Sequence, residues 1–147
     1  MLDGAMELPG WDHAALLSVL ARSDADRLKA FAETLIPDLG EIDVIENRTG
    51  LVMLPMRDTA QGTHFHLGEI LMSEAHISAG GQIGYGMRRG RDLEAAMAMA
   101  VVDATIASGL SHGACAAFLA QEADTLARRD DERLRAVEAT RVDMETF

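Results

Sequence analysis

The chain has 147 residues, enough for one domain with a substantial core and too few for two ordinary ones. Its formal net charge of -11 opposes nucleic-acid binding, because phosphate backbones demand a basic face, and it disfavours acidic membrane surfaces. Apolar residues supply 48% of the chain, aromatics only 4%, and methionine occurs nine times, so the core must be built from small and flexible side chains.

The single cysteine, Cys115, has no partner for an internal disulfide. The N-terminus lacks the basic start, long apolar stretch and small-residue cleavage site of a signal peptide, so a reducing cytoplasm is the expected location. No stretch reaches the roughly 18 uninterrupted apolar residues of a membrane-spanning helix. Even the Ala95 to Ile106 run is shorter and contains Asp103.

Residues 1–10 read as a flexible start. Trp11, Ala15, Leu16, Val19 and Leu20 share a helical stripe, with Asp12 placed to cap the first turn. Ser23 or Asp24 can cap a second helix, in which Leu28, Phe31, Ala32 and Leu35 recur before Pro37 and Gly40 end it. Residues 11–38 are therefore a helical pair. The period then changes across residues 43–87, where Asp43 to Glu46, Leu51 to Met56, Phe65 to Ser78 and Gln82 to Met87 read as strands. Asn47-Arg48-Thr49-Gly50 is a hairpin-turn candidate, Pro55 points to a sheet edge or a bulge, and Gly80-Gly81 is a further turn. Four strands on short loops make a mostly antiparallel sheet, and the class is α+β.

Residues 92–139 read as two more helices. Asp92 caps the first, Gly109 stops it, and its surface is apolar almost all round. The second carries Leu119, Ala123, Leu126, Leu134 and Val137 on one stripe with dense mixed charge opposite, and either projects from the sheet or lies across it. A short tail, residues 140–147, completes a single domain.

The segment Gly84-Tyr85-Gly86-Met87-Arg88-Arg89-Gly90-Arg91-Asp92 gathers three of the thirteen basic residues among glycines. Gly84, Gly86 and Gly90 permit tight backbone approach, while Arg88, Arg89 and Arg91, with Tyr85, favour carboxylate or phosphate. The segment has neither the Lys-Ser/Thr pair of a phosphate loop nor a dinucleotide fingerprint, and an Asp92 cap competes for the helix amides. Its arginines either meet acidic groups of this chain or a partner, or bind an anionic ligand. Asp103 is expected to pair with one of them.

His64, His66 and His76 share strand parity with Glu74, so His64 and His66 are the weak candidates for a metal site, against an ordinary exposed sheet face. Cys115, near His112 and a helix start, is either a buried structural thiol or a nucleophile without an orienting acid. No catalytic constellation emerges, and no metal site is assigned.

Glu46-Asn47-Arg48-Thr49-Gly50-Leu51-Val52-Met53, Phe65-His66-Leu67-Gly68-Glu69, Gly84-Tyr85-Gly86 with Gly90-Arg91-Asp92, Asp103-Ala104 and Ala139-Thr140-Arg141-Val142-Asp143, taken in order, resemble the PhnG family. The resemblance runs from about Trp11 to Phe147 and implies a small subunit of the bacterial carbon-phosphorus lyase core complex. Its implied partners are PhnH, PhnI and PhnJ, each in paired copies, and the ATP-binding-cassette protein PhnL. The implied step is displacement of adenine from ATP by a phosphonate, giving ribose 1-phosphonate 5-triphosphate. An iron-sulfur cluster and S-adenosylmethionine serve later bond cleavage on PhnJ, so no cofactor is expected on this chain alone.

No catalytic residue transfers from the family to any position here. The expected role is a scaffold or accessory subunit, with Met97, Val101, Arg141, Val142, Met144 and Phe147 as interface candidates and self-association as another way to cover such surfaces. The alternatives are an intersubunit anion site using the arginines, and a stand-alone metal-binding module using His64 and His66.

Overall fold

The computed structural model describes residues 4–142. The elements are α1 (His13–Arg22), α2 (Ala25–Leu39), β1 (Ile42–Arg57), β2 (His64–Ala79), β3 (Gln82–Arg89), α3 (Leu93–Ala107) and α4 (His112–Ala139). The strands form one antiparallel sheet in the order β1-β2-β3, and the class is α+β. Asp12 and Asp24 cap α1 and α2 through Ala15 N and Arg27 N. Pro37 lies inside α2, which continues to Leu39 before Gly40 ends it.

Three strands replace the expected four. Asn47 to Gly50 is not a turn, and Gly50 is not a turn residue: the segment pairs in register with Met72 to Ala75, so β1 runs for 16 residues. A local Asn-to-Gly signal loses here to a continuous ladder against an equally long neighbour. Arg48 reinforces the ladder through Glu74 at 3.2 Å and Glu46 at 2.9 Å. The β1–β2 turn lies instead at residues 58–63, where Asp58 N donates to Thr63 O at 2.8 Å. Pro55 sits on the edge strand beside a register shift, where its missing N–H costs no ladder bond.

α3 is the centre of the fold. It lies on one face of the sheet against β3 and β2, while α2 and α1 pack on its far side. Burial on several sides explains its all-round apolar sequence, and from Ala98 to Ile106 every residue is buried. Such contact requires small residues facing one another. A Cβ on Gly84 would overlap the Ala100 carbonyl oxygen, and one on Gly86 would overlap that of Ala96. The glycines of β3 thus face Ala96, Ala100 and Ala104, one helical turn apart on α3.

α4 has 28 residues and reaches about 42 Å at the α-helical rise. Cys115, Leu119, Glu122 and Leu126 anchor its first half, and Phe118 stacks on Phe31 of α2 at 4.4 Å. From Ala127 onward every residue of the helix is exposed; Asp130 still pairs with Arg22 of α1 at 3.0 Å, and the helix projects beyond it.

Gly86→Ala should lower unfolding stability by about 3 kcal/mol, because the added methyl meets helix backbone. Gly50→Ala, which meets nothing within 4 Å, should change it by less than about 0.5 kcal/mol. Urea titration followed by circular dichroism measures both.

Candidate functional site

The glycine-arginine segment forms the end of β3 and the joint to α3, and its three arginines diverge. Arg88 turns inward: its Nη1 donates to the Leu20 carbonyl and to Ser23 Oγ at 3.2 Å, and its Nη2 to the Ser23 carbonyl at 2.6 Å. These carbonyls close the C-terminal end of α1, where helix acceptors lack intrahelical partners. Burial pulls the Arg88 pKa below the ordinary arginine value, with Asp92, Asp24 and Glu122 opposing the shift. Arg89 and Arg91 are exposed and have no hydrogen-bond or ion-pair partner among the described residues.

Gly90 takes φ +92° and carries the chain out of the sheet. Ser73, fully buried on β2, locks the joint: its hydroxyl donates to Gly90 O at 2.6 Å and accepts from Asp92 N at 2.9 Å. Asp92 takes the N-cap position, accepting from Ala95 N at 3.0 Å, and pairs with Lys29 at 3.0 Å. A carboxylate therefore occupies the amides an anion would use. Nothing in the local sequence marks Ser73 or Ser23 for these roles, since both act on strands or helices distant in the chain.

Asp103 does not pair with an arginine. Its Oδ2 accepts from Tyr85 N at 2.9 Å and its Oδ1 pairs with His13 Nε2 at 2.8 Å. Strand register explains the change: Tyr85 and Asp103 meet where β3 crosses α3, whereas Arg88 lies farther along β3, at the C-terminal end of α1. Burial raises the Asp103 pKa, opposed by the bonds from Tyr85 and His13. The Tyr85 ring tilts against His76 at 4.7 Å, and its hydroxyl donates to Met87 Sδ at 3.2 Å.

Cys115 is fully buried and its thiol is pushed up to about 11 by desolvation, so it is a structural thiol. His112 bonds the Ile106 carbonyl at 3.0 Å rather than activating it. His64 Nε2 pairs with Arg57 at 2.9 Å. Among the described residues no three His, Cys, Asp or Glu side chains converge as a metal site, and no helix is long and apolar enough to cross a membrane.

What remains outside the core is a long apolar arm. β3 ends opposite Met72, so from Leu51 and Leu71 outward the β1–β2 ribbon has only two strands. Leu51 (63% exposed), Met53, Leu67 (55%) and Phe65 stand bare there, as do Val52, Leu54 and Met56 on alternate positions of β1. Both faces of the ribbon are thus apolar and open. An isolated two-stranded hairpin is marginal in water. Leu134 and Val137 are similarly bare on the projecting half of α4.

Of the interface candidates, Val101 is buried in the core and Met97 packs against it, so this chain accounts for their burial. Arg141 pairs with Glu138 and Val142 is exposed, while Met144 and Phe147 lie outside the described residues.

The sequence model of one family, phosphonate metabolism protein PhnG, matches residues 12–147, nearly the whole chain. The chain belongs to the PhnG family. Its role therefore lies in phosphonate metabolism. A comparison with curated proteins found no match. The matched region contains the arm, the glycine-arginine joint and the whole of α3 and α4.

Arg88→Met should cost about 2 kcal/mol by leaving the α1 carbonyls without donors, whereas Arg91→Met should change stability by less than about 0.5 kcal/mol in thermal unfolding. The helix caps set an acid limit. Backbone N–H bonds from Arg27 and Ala95 hold Asp24 and Asp92 below the ordinary value of 3.8. A depressed folded pKa contributes stability that is complete above the unfolded value and lost as pH falls through the folded one. Stability should therefore fall as pH drops below the ordinary carboxylate range, and fall less steeply in an Asp24→Asn, Asp92→Asn variant.

Proposed function

We propose that this chain is a scaffold or accessory subunit of a phosphonate carbon-phosphorus lyase core complex. It supports the step in which a phosphonate displaces adenine from ATP to give ribose 1-phosphonate 5-triphosphate. The observation that carries this reading is the two-stranded arm, apolar on both faces, in a member of a phosphonate-metabolism family. A surface of that kind costs solubility unless another chain covers it, and PhnI-like and PhnJ-like subunits are the proposed cover. A PhnH-like subunit and an ATP-binding-cassette protein complete the assembly. ATP enters as its substrate, with the iron-sulfur cluster and S-adenosylmethionine on another subunit.

A second reading rests on Arg89 and Arg91, which are exposed and without a side-chain partner among the described residues at the β3–α3 joint. In that reading they face an anionic group at a junction between subunits, as charge-assisted donors. Arg88 is spent on α1 and belongs to the fold rather than to such a site.

Co-expression with PhnH-, PhnI- and PhnJ-like subunits tests the first reading. The variant Leu51→Asp, Leu67→Asp should keep its circular dichroism spectrum and lose at least about tenfold in recovery with those partners. Recovery equal to the unaltered chain would sink the docking reading. Arg89→Glu, Arg91→Glu should leave the assembly intact and abolish turnover if the second reading holds; unchanged turnover removes it.

A further inference from the structure

A cavity of about 580 Å³ opens between the N-terminal segment, the start of α1, the first residues of β3 and the end of α3. This volume lies within the range of small-molecule sites, about 300 to 1,000 Å³. Leu8, Leu16 and Ile106 line it with buried apolar surface, and Trp11 and Ile83 also border it. The N-terminal wall is tied in place, with Met6 N donating to Ala107 O at 2.9 Å.

Its polar groups form a built pair. The Asp103 side chain is 6% exposed, the one buried charged group of a helix whose other carboxylate, Glu94, is exposed in the first turn, and a buried carboxylate is costly unless it is used or paired. His13, 65% exposed in its side chain, carries that carboxylate's influence from the core to the cavity. With Nε2 engaged by Asp103, Nδ1 is left without a partner among the described residues and accepts a hydrogen bond when the ring is neutral. The phosphate-seeking arginines lie elsewhere: among the described residues the charged or titratable lining groups are Glu7, His13 and Asp103, with no lysine or arginine. That balance repels phosphate and carboxylate and favours a ligand bearing N–H donors.

We infer that this cavity is a binding site for a small amine or amidine with an apolar body, its N–H on the His13–Asp103 pair and its body against Trp11 and the apolar wall. The site is separate from the arm and from the arginine joint, so it stands or falls independently of docking.

Trp11 is the chain's only tryptophan, so its indole cross-peak in a ¹H–¹⁵N spectrum reports on the cavity alone. Titration of the full chain with benzamidine at about pH 8, where an ordinary imidazole is neutral, should move that peak saturably. His13→Gln and Asp103→Asn should each weaken binding about tenfold, benzoate should bind more weakly by a similar factor, and Leu51→Asp, Leu67→Asp should bind as the unaltered chain does. If Asp103→Asn fails to fold, His13→Gln decides, because its mostly exposed side chain adds little to the core. No saturable shift by about 10 mM benzamidine overturns the inference, as does unchanged affinity in His13→Gln or benzoate binding as tightly as benzamidine.

Discussion

The near-contact of β3 glycines with the α3 backbone is the constraint on which the rest of the structure depends. Gly84 and Gly86 let Ala96, Ala100 and Ala104 approach until helix carbonyls lie where any Cβ would be. Across that close approach Asp103 reaches Tyr85 N, and at its end Ser73 spans both sides of the Gly90 joint. The same approach exposes the far side of α3 to α1 and α2, whose own ends are fastened by Arg88 to the β3 terminus. A second clasp holds the helices to one another: Glu122, buried on α4, accepts from Arg27 at 2.7 and 3.1 Å and from Asp24 N at 3.4 Å. A buried carboxylate with three donors fixes geometry more than it adds stability, since desolvation offsets much of the attraction.

Much of the fold was legible because local rules and global packing agreed. Helix positions followed from apolar period, caps from Asp12 and Asp24, and the edge position of β1 from Pro55. The Asn47 to Gly50 segment failed that logic because its turn signal is local, while the strand that overrides it is supplied by residues 72–75 far along the chain. The candidate site was less legible. A run of glycines and arginines advertises an anion loop, yet the glycines face a helix and one arginine serves helix carbonyls. Residue type carried that signal, whereas the roles were assigned by which element lay opposite. His13, Ser23 and Ser73 act through contacts across 65 to 90 positions or between neighbouring strands, so no window of sequence reveals them. Glu122 was hidden for a related reason, inside a helix whose mixed charge reads as solvated.

Chemistry and surface divide cleanly in this molecule. Among the titratable groups with altered pKa values, Asp24 and Asp92 serve caps, Arg88 closes the end of α1, Asp103 holds its pair and Cys115 is a buried thiol. Many of the exposed large apolar side chains lie instead on the two-stranded ribbon, with Leu134 and Val137 near the end of α4. Family membership places the chain in phosphonate metabolism.

The arm carries a consequence for how much of this protein a cell can hold. Residues 51–71 present an unpaired, apolar strand edge, the feature most prone to edge-to-edge aggregation and to capture by chaperones. Aggregation and clearance then start from the arm while the body stays folded, so the folding stability of the body does not by itself set abundance.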